Sequence, residues 1–193
     1  QCHLRRLTFE LAGVVSPWIH PWGNSVIGPW RQWSAGLFPT ITDSLIEHLA
    51  LTYNSSDPAS SLLLEVVTSA RKVFETSLQA SLGHQRTNGS CLYGVILCEC
   101  LIRRFTDGQP AIRGGDGVAD GGLFKNGVGY GHYWIEVALH GETLIVDITG
   151  DQFGLDPVVV AQIENTPAEY RPGCQVRVDA HVRQLQDEIQ AES

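Results

Sequence analysis

A chain of 193 residues is long enough to bury a core of its own and short enough that a single domain, 1–193, is the expectation. Apolar residues at 43% and charged residues at 18% are ordinary globular usage, which excludes a chain disordered by composition and a fibrous one. The net charge of −8 argues against a nucleic-acid binder, which needs a field of Lys and Arg to release counterions from phosphates, and favours a protein or small neutral partner.

No apolar run approaches the roughly 18 to 20 residues that cross a bilayer, and the first residues lack the order of a signal peptide, so the chain reads as soluble with no membrane partner. It contains no Met, so Gln1 is read as something other than a native start, with room for an address segment upstream. Cys2, Cys91, Cys98, Cys100 and Cys174 have neither disulfide-framework nor paired zinc-site spacing and read as reduced thiols. Cys98 and Cys100 lie two apart in a helical segment, point to different faces, and are expected as small core residues rather than a chelate.

Residues 1–40 hold Trp18, Trp22, Trp30 and Trp33 among Pro and Gly with no clean period, which predicts an irregular arm wrapped over the core, with a partner-docking surface as the sharper alternative. Residues 41–106 form a helical part. Asp43 caps a helix whose apolar face is Leu45, Ile46, Leu49 and Tyr53; Asp57 before Pro58 starts a second, running through Leu63, Val66, Val67, Ala70, Val73, Phe74 and Leu78 to Gly83. A third apolar segment of helical length spans residues 91–105 and breaks at Asp107-Gly108.

Residues 107–193 form a sheet part with a C-terminal helix. Residues 113–131 are rich in Gly and read as a loop that lacks both the EF-hand ligand order and a Gly-Lys-Ser/Thr phosphate motif; because it immediately precedes His132 it is expected to be a mobile flap beside the site, with an ordinary surface connection as the alternative. Residues 133–139 and 143–149 read as a hairpin around His140-Gly141. Residues 175–178 read as a further strand, followed by a polar helix from about Ala180. Helices followed by strands give an α+β class.

Three residues suggest chemistry. Cys91 follows Gly89-Ser90 and opens a helix, where unpaired N–H groups and the positive end of the dipole favour a thiolate. A free Cys is more often buried in a core, so its meaning depends on its partners. If His140 and Gly141 form a two-residue turn, Leu139 faces Glu142, Trp134 faces Asp147 and His132 faces Thr149. His132 and Asp147 then share a face as diagonal neighbours. That pairing suits a base and the acid that orients it, and a one-residue bulge would separate them. Asp151 is a rival acid, set aside because it follows Gly150 at a turn and is expected to bond backbone.

The run Gly131-His132-Tyr133-Trp134-Ile135-Glu136-Val137, followed by Ile145-Val146-Asp147-Ile148-Thr149, resembles the transglutaminase-like superfamily, in which a His-x-Trp-x-Glu strand precedes an Asp-x-Thr strand. The stretch from Gln85 to Gly89-Ser90-Cys91 resembles papain-like enzymes, in which a Gly-Ser-Cys type motif opens the helix and a glutamine six positions earlier helps bind the oxyanion. The resemblance covers roughly residues 85–154 and implies the catalytic order Cys91, His132, Asp147. It implies a helical N-terminal part with the Cys at a helix N-terminus, packed on an antiparallel sheet carrying His and Asp. Gln85, Ser90 and Trp134 are the implied oxyanion and substrate-binding residues, with no metal and no cofactor.

No Trp follows Cys91, Ile148 stands where transglutaminases often have Pro, and the third member is Asp rather than the Asn of papain itself. These departures favour the bacterial toxin and effector branch, which includes protein-glutamine deamidases, over a digestive protease. The implied activity is a thiol-dependent hydrolase or acyl transferase acting on amides of a protein or peptide, with glutamine deamidation favoured and a cysteine protease or transglutaminase as alternatives. The reduced cysteines suggest a cytoplasmic setting, including that of a bacterial protein delivered into another cell. The competing reading is a non-catalytic interaction module in which hairpin and Trp-rich arm bind a partner and Cys91 is core.

Overall fold

The structure is a computed structural model that describes residues 58–191. The Trp-rich arm, the helix expected from Asp43, the Asp57 cap and Cys2 lie outside the described residues. The class is α+β, with three α-helices and two antiparallel sheets among the described residues.

Helix α1 (Pro58–Leu82) buries Leu63, Val66, Val67, Ala70, Phe74 and Leu78, the stripe that the apolar spacing requires. Gly83 ends it in the left-handed region at φ 72°, its N–H donating to the Gln79 carbonyl. Helix α2 (Cys91–Phe105) buries Gly94, Val95, Cys98, Leu101 and Ile102. Cys98 is the expected core residue, whereas Cys100 is only half-buried; among the described residues no cysteine is in a disulfide.

Strands β1 (Gln109–Gly115), β2 (Gly122–Lys125), β3 (Val128–Tyr130), β4 (His132–Leu139), β5 (Glu142–Asp147), β6 (Val159–Gln162) and β7 (Glu169–Arg171) form the two sheets. The first has the order β1-β4-β5-β6 and the second β3-β2-β7. β4 and β5 pair with Leu139 opposite Glu142 and Ile135 opposite Val146, the register a two-residue turn predicts. His140 and Gly141, at φ 50° and 87°, both take the positive values such a turn needs.

Alternation along these strands builds two cores. Ile135, Val137, Leu139, Leu144 and Val146 face α1 and α2, while Trp134 and Ile145 face Leu123, Ala168 and Tyr170 of the second sheet and its flank. Each enclosed Leu, Ile or Val contributes about 1.5–3 kcal/mol of apolar burial.

Two expectations are corrected here. The Gly-rich stretch is not the loop expected: it holds the end of β1 and all of β2 and β3, the latter two joined by an Asn126-Gly127 turn. Its glycines serve close backbone approach. A Cβ on Gly117 would run into the Tyr130 backbone, one on Gly129 into the Gly117 carbonyl, and one on Gly121 into the Arg171 carbonyl.

The expected strand at residues 175–178 is instead the first turn of helix α3 (Gln175–Ala191). Its β-branched residues are overridden by tertiary burial: Val178, Leu185 and Ile189 recur at helical spacing and are enclosed, while Val176 stays exposed. α3 and the residues before it cover the outer edge of β1. Gly173 N–H donates to the Gly114 carbonyl and Gln175 Nε2 to the Ile112 carbonyl. Among the described residues no helix is long and apolar enough to cross a membrane.

Candidate active site

His132 is the first residue of β4 and Asp147 the last of β5, so the hairpin register brings both to one end of the sheet. His132 Nε2 donates to Asp147 Oδ2 at 2.7 Å, and both side chains are fully buried. Asp147 is saturated with donors. Tyr170 donates its hydroxyl to Oδ2 at 3.0 Å, and Thr149 donates its N–H and its hydroxyl to Oδ1 at 2.8 and 3.2 Å.

Burial alone would push the Asp147 carboxyl up, but the charge and hydrogen bond of His132, with the Thr149 amide and the Tyr170 hydroxyl, hold it below the usual range. Burial likewise disfavours a charged His132. The Asp147 charge and hydrogen bond outweigh it, Cys91 adds to them, and the imidazole is raised well above its ordinary value. Tyr170 is pushed upward by its burial and by Asp147, which keeps it protonated as a donor.

The imidazole is enclosed by aromatic rings. Phe153 meets it edge-on at 4.9 Å and Trp134 lies stacked at 6.4 Å. With Nε2 committed to Asp147, the nitrogen left for a thiol is Nδ1, which is buried without an aligned hydrogen bond. Cys91 is close enough for its sulfur to favour the imidazolium. The contact is therefore close, with its hydrogen bond poorly aligned.

Cys91 is half-buried at the first position of α2. Gly94 lets this turn settle onto the site, because a Cβ there would stand 3.0 Å from Thr149 Cγ2 and 3.3 Å from Phe74 Cε1. Ser90 precedes the helix without capping it. Its hydroxyl turns back to the Thr87 carbonyl at 2.7 Å, so it places no oxygen on the amides of the first turn.

The structure thus brings Cys91, His132 and Asp147 together and gives Ser90 and Trp134 supporting places around them. Ser90, 1% exposed, braces the preceding turn and offers its hydroxyl to no substrate. Trp134 is fully enclosed, edge-on to Tyr170 at 5.3 Å, and forms a floor beneath His132 rather than a substrate contact. Gln85 is exposed. Asp151 meets its own backbone N–H, as expected of a turn residue, and also accepts from Arg71 and Thr87, a role elsewhere in the site.

Sequence reasoning passed over Tyr170, Phe153, Arg71 and Thr87, and assigned no role to Thr149 within its Asp-x-Thr run. Only Thr149 carried a local signal. Tyr170 sits in a three-residue strand whose contact with Asp147 spans 23 positions. Compared with known proteins, the chain matches no family model, no curated protein and no solved structure.

Proposed function

We propose that the chain is a thiol-dependent hydrolase or acyl transferase acting on amide groups of a protein substrate, with glutamine deamidation the favoured reaction. One observation carries this reading: a buried His132–Asp147 ion pair whose second ring nitrogen is left to Cys91, a half-buried thiol at a helix start. A purely structural ion pair has no need to leave Nδ1 unsatisfied beside a sulfur. The papain-like or transglutaminase-like architecture is part of the same proposal. It is supported by the order Cys, His, Asp along the chain and by a nucleophile helix packed on an antiparallel sheet.

In the proposed mechanism the imidazolium already holds on Nδ1 the proton that Cys91 has given up, and the sulfur beside it attacks the carboxamide carbon. The oxyanion is held by the Cys91 amide at the uncapped helix start, with the exposed Gln85 side chain as the second donor that the resemblance suggests. The C–N bond breaks as the imidazolium returns its proton to the departing ammonia or amine, leaving a thioester. Water, deprotonated by His132, then hydrolyses the thioester and restores the thiol. Asp147 transfers no proton; it orients the ring and stabilises its charge. Effector-like action inside a reducing compartment belongs to the same proposal.

Iodoacetamide at pH 6 tests the nucleophile directly. Cys91 in the wild-type protein is expected to be alkylated far faster than a model thiol, and His132→Ala to abolish the advantage. An inert Cys91 would leave only an interaction module. Intact-mass analysis of candidate substrates then identifies the reaction, since deamidation adds about one dalton, proteolysis gives fragments and transamidation gives covalent adducts.

A further inference from the structure

Arg71 is buried on α1, 6% exposed, and takes part in none of the steps above. Its Nη1 and Nη2 hold Asp151 Oδ1 and Oδ2 at 2.9 and 2.8 Å, Nη1 also donates to the Ile148 carbonyl at 2.6 Å, and Nε donates to Glu75 at 2.7 Å. Asp151 Oδ1 in turn accepts the Thr87 hydroxyl at 2.7 Å. The Thr87 carbonyl receives both the Ser90 N–H at 3.0 Å and the Ser90 hydroxyl at 2.7 Å, and Ser90 leads into the first turn of α2.

A second route runs parallel. Gln152 Nε2 donates to the Thr149 carbonyl at 2.9 Å, and its Oε1 accepts the Gly89 N–H at 3.4 Å. Two chains of hydrogen bonds therefore join the segment that delivers Cys91 to the segment that leaves Asp147.

We propose that Arg71, Asp151 and Thr87 form a latch that positions Cys91 against the His132 imidazole, a proposal that rests on the reading of Cys91 as nucleophile. Residues 83–90 carry no helix or strand, so nothing in their own backbone pattern sets where the thiol sits. A bidentate guanidinium–carboxylate contact is directional and stiff, and its burial makes any arrangement that leaves Arg71 unpaired costly. The latch fixes the approach of the nucleophile in the way that substrate-positioning groups fix a near-attack geometry. Arg71, Asp151 and Thr87 are positioning residues, acting through Cys91.

The test is the rate of Cys91 alkylation by iodoacetamide at pH 6, read by peptide mapping in wild type, T87V, T87S, D151N, H132A and the double variant T87V/H132A, with thermal melting as the check on folding. Loss of the Thr87 hydroxyl is expected to slow alkylation about fivefold or more, and D151N to do the same. T87S, which keeps the hydroxyl, restores the rate. In the H132A background T87V has no further effect, because the latch works through the thiol–imidazole contact. If wild-type alkylation is fast and dependent on His132 yet T87V and D151N leave it unchanged, the latch is overturned and the nucleophile stands. A T87V effect that persists undiminished without His132 also overturns it. If wild-type Cys91 reacts no faster than a model thiol, both fall together.

Discussion

A carboxylate buried without compensation would take up a proton. Asp147 stays charged because His132, Tyr170 and both donors of Thr149 converge on its two oxygens. Asp147→Asn keeps the shape and removes the charge. Turnover on any substrate found by mass analysis is expected to fall on the order of a hundredfold or more with little change in KM, because the loss falls on the transition state. Tyr170 shares Oδ2 with His132 and so competes for that oxygen's charge. Removing its hydroxyl in Tyr170→Phe makes the carboxylate more basic toward the imidazole, and the imidazolium is held more tightly. The basic limb of the pH–rate profile should therefore move upward, by roughly half a unit to one unit, and a downward shift would contradict the shared-oxygen account.

At the level of elements, the site depends on how closely segments approach, and glycine sets that approach in two places. Gly94 brings the first turn of α2 onto Thr149, and the glycines around β2 and β3 let backbones touch. Gly129 shows the difference between close packing and flexibility. In a mobile loop, Gly129→Ala would be neutral or slightly stabilising. Here the added methyl meets the Gly117 carbonyl, so the variant is expected to lose about 2–4 kcal/mol in urea unfolding. A Gly129→Ala protein as stable as wild type would return this stretch to a loop.

For the whole molecule, the buried ion pair makes stability depend on pH. His132 is raised when folded, so its contribution is complete below the unfolded imidazole value of about 6.5 and fades as pH climbs through the raised value. Asp147 is lowered when folded, so its contribution is complete above the unfolded carboxyl value of about 3.9 and fades as pH falls through the lowered one. The stability gap between wild type and Asp147→Asn should be widest between about pH 4 and 6.5 and should shrink on both sides. Denaturant melts across pH check this, and a gap that widened toward pH 10 would reverse the sign assigned to His132. Neither residue acts alone: the two cores on opposite faces of the four-stranded sheet keep the pair away from water.

The chain by itself determined whatever depends on neighbours a few positions away. The run from Leu63 to Leu78 dictates α1, Asp107-Gly108 stops α2, and His140-Gly141 sets a register that carries His132 and Asp147 to the same end of their hairpin. Tertiary structure decided the rest, because its causes are contacts between segments far apart in the chain. Val176 and Val178 alternate as in a strand, yet Leu185 and Ile189 complete a helical stripe with Val178. Glycine looks alike in sequence whether it provides freedom or room, and only the surrounding backbone shows that residues 113–131 needed room. Asp151 reads as a turn residue until α1 brings Arg71 beside it, and Tyr170 has no meaning until β7 places its hydroxyl on Asp147. Hydrogen bonds and buried charges are satisfied by whatever packing delivers to them, and local sequence does not say what that will be.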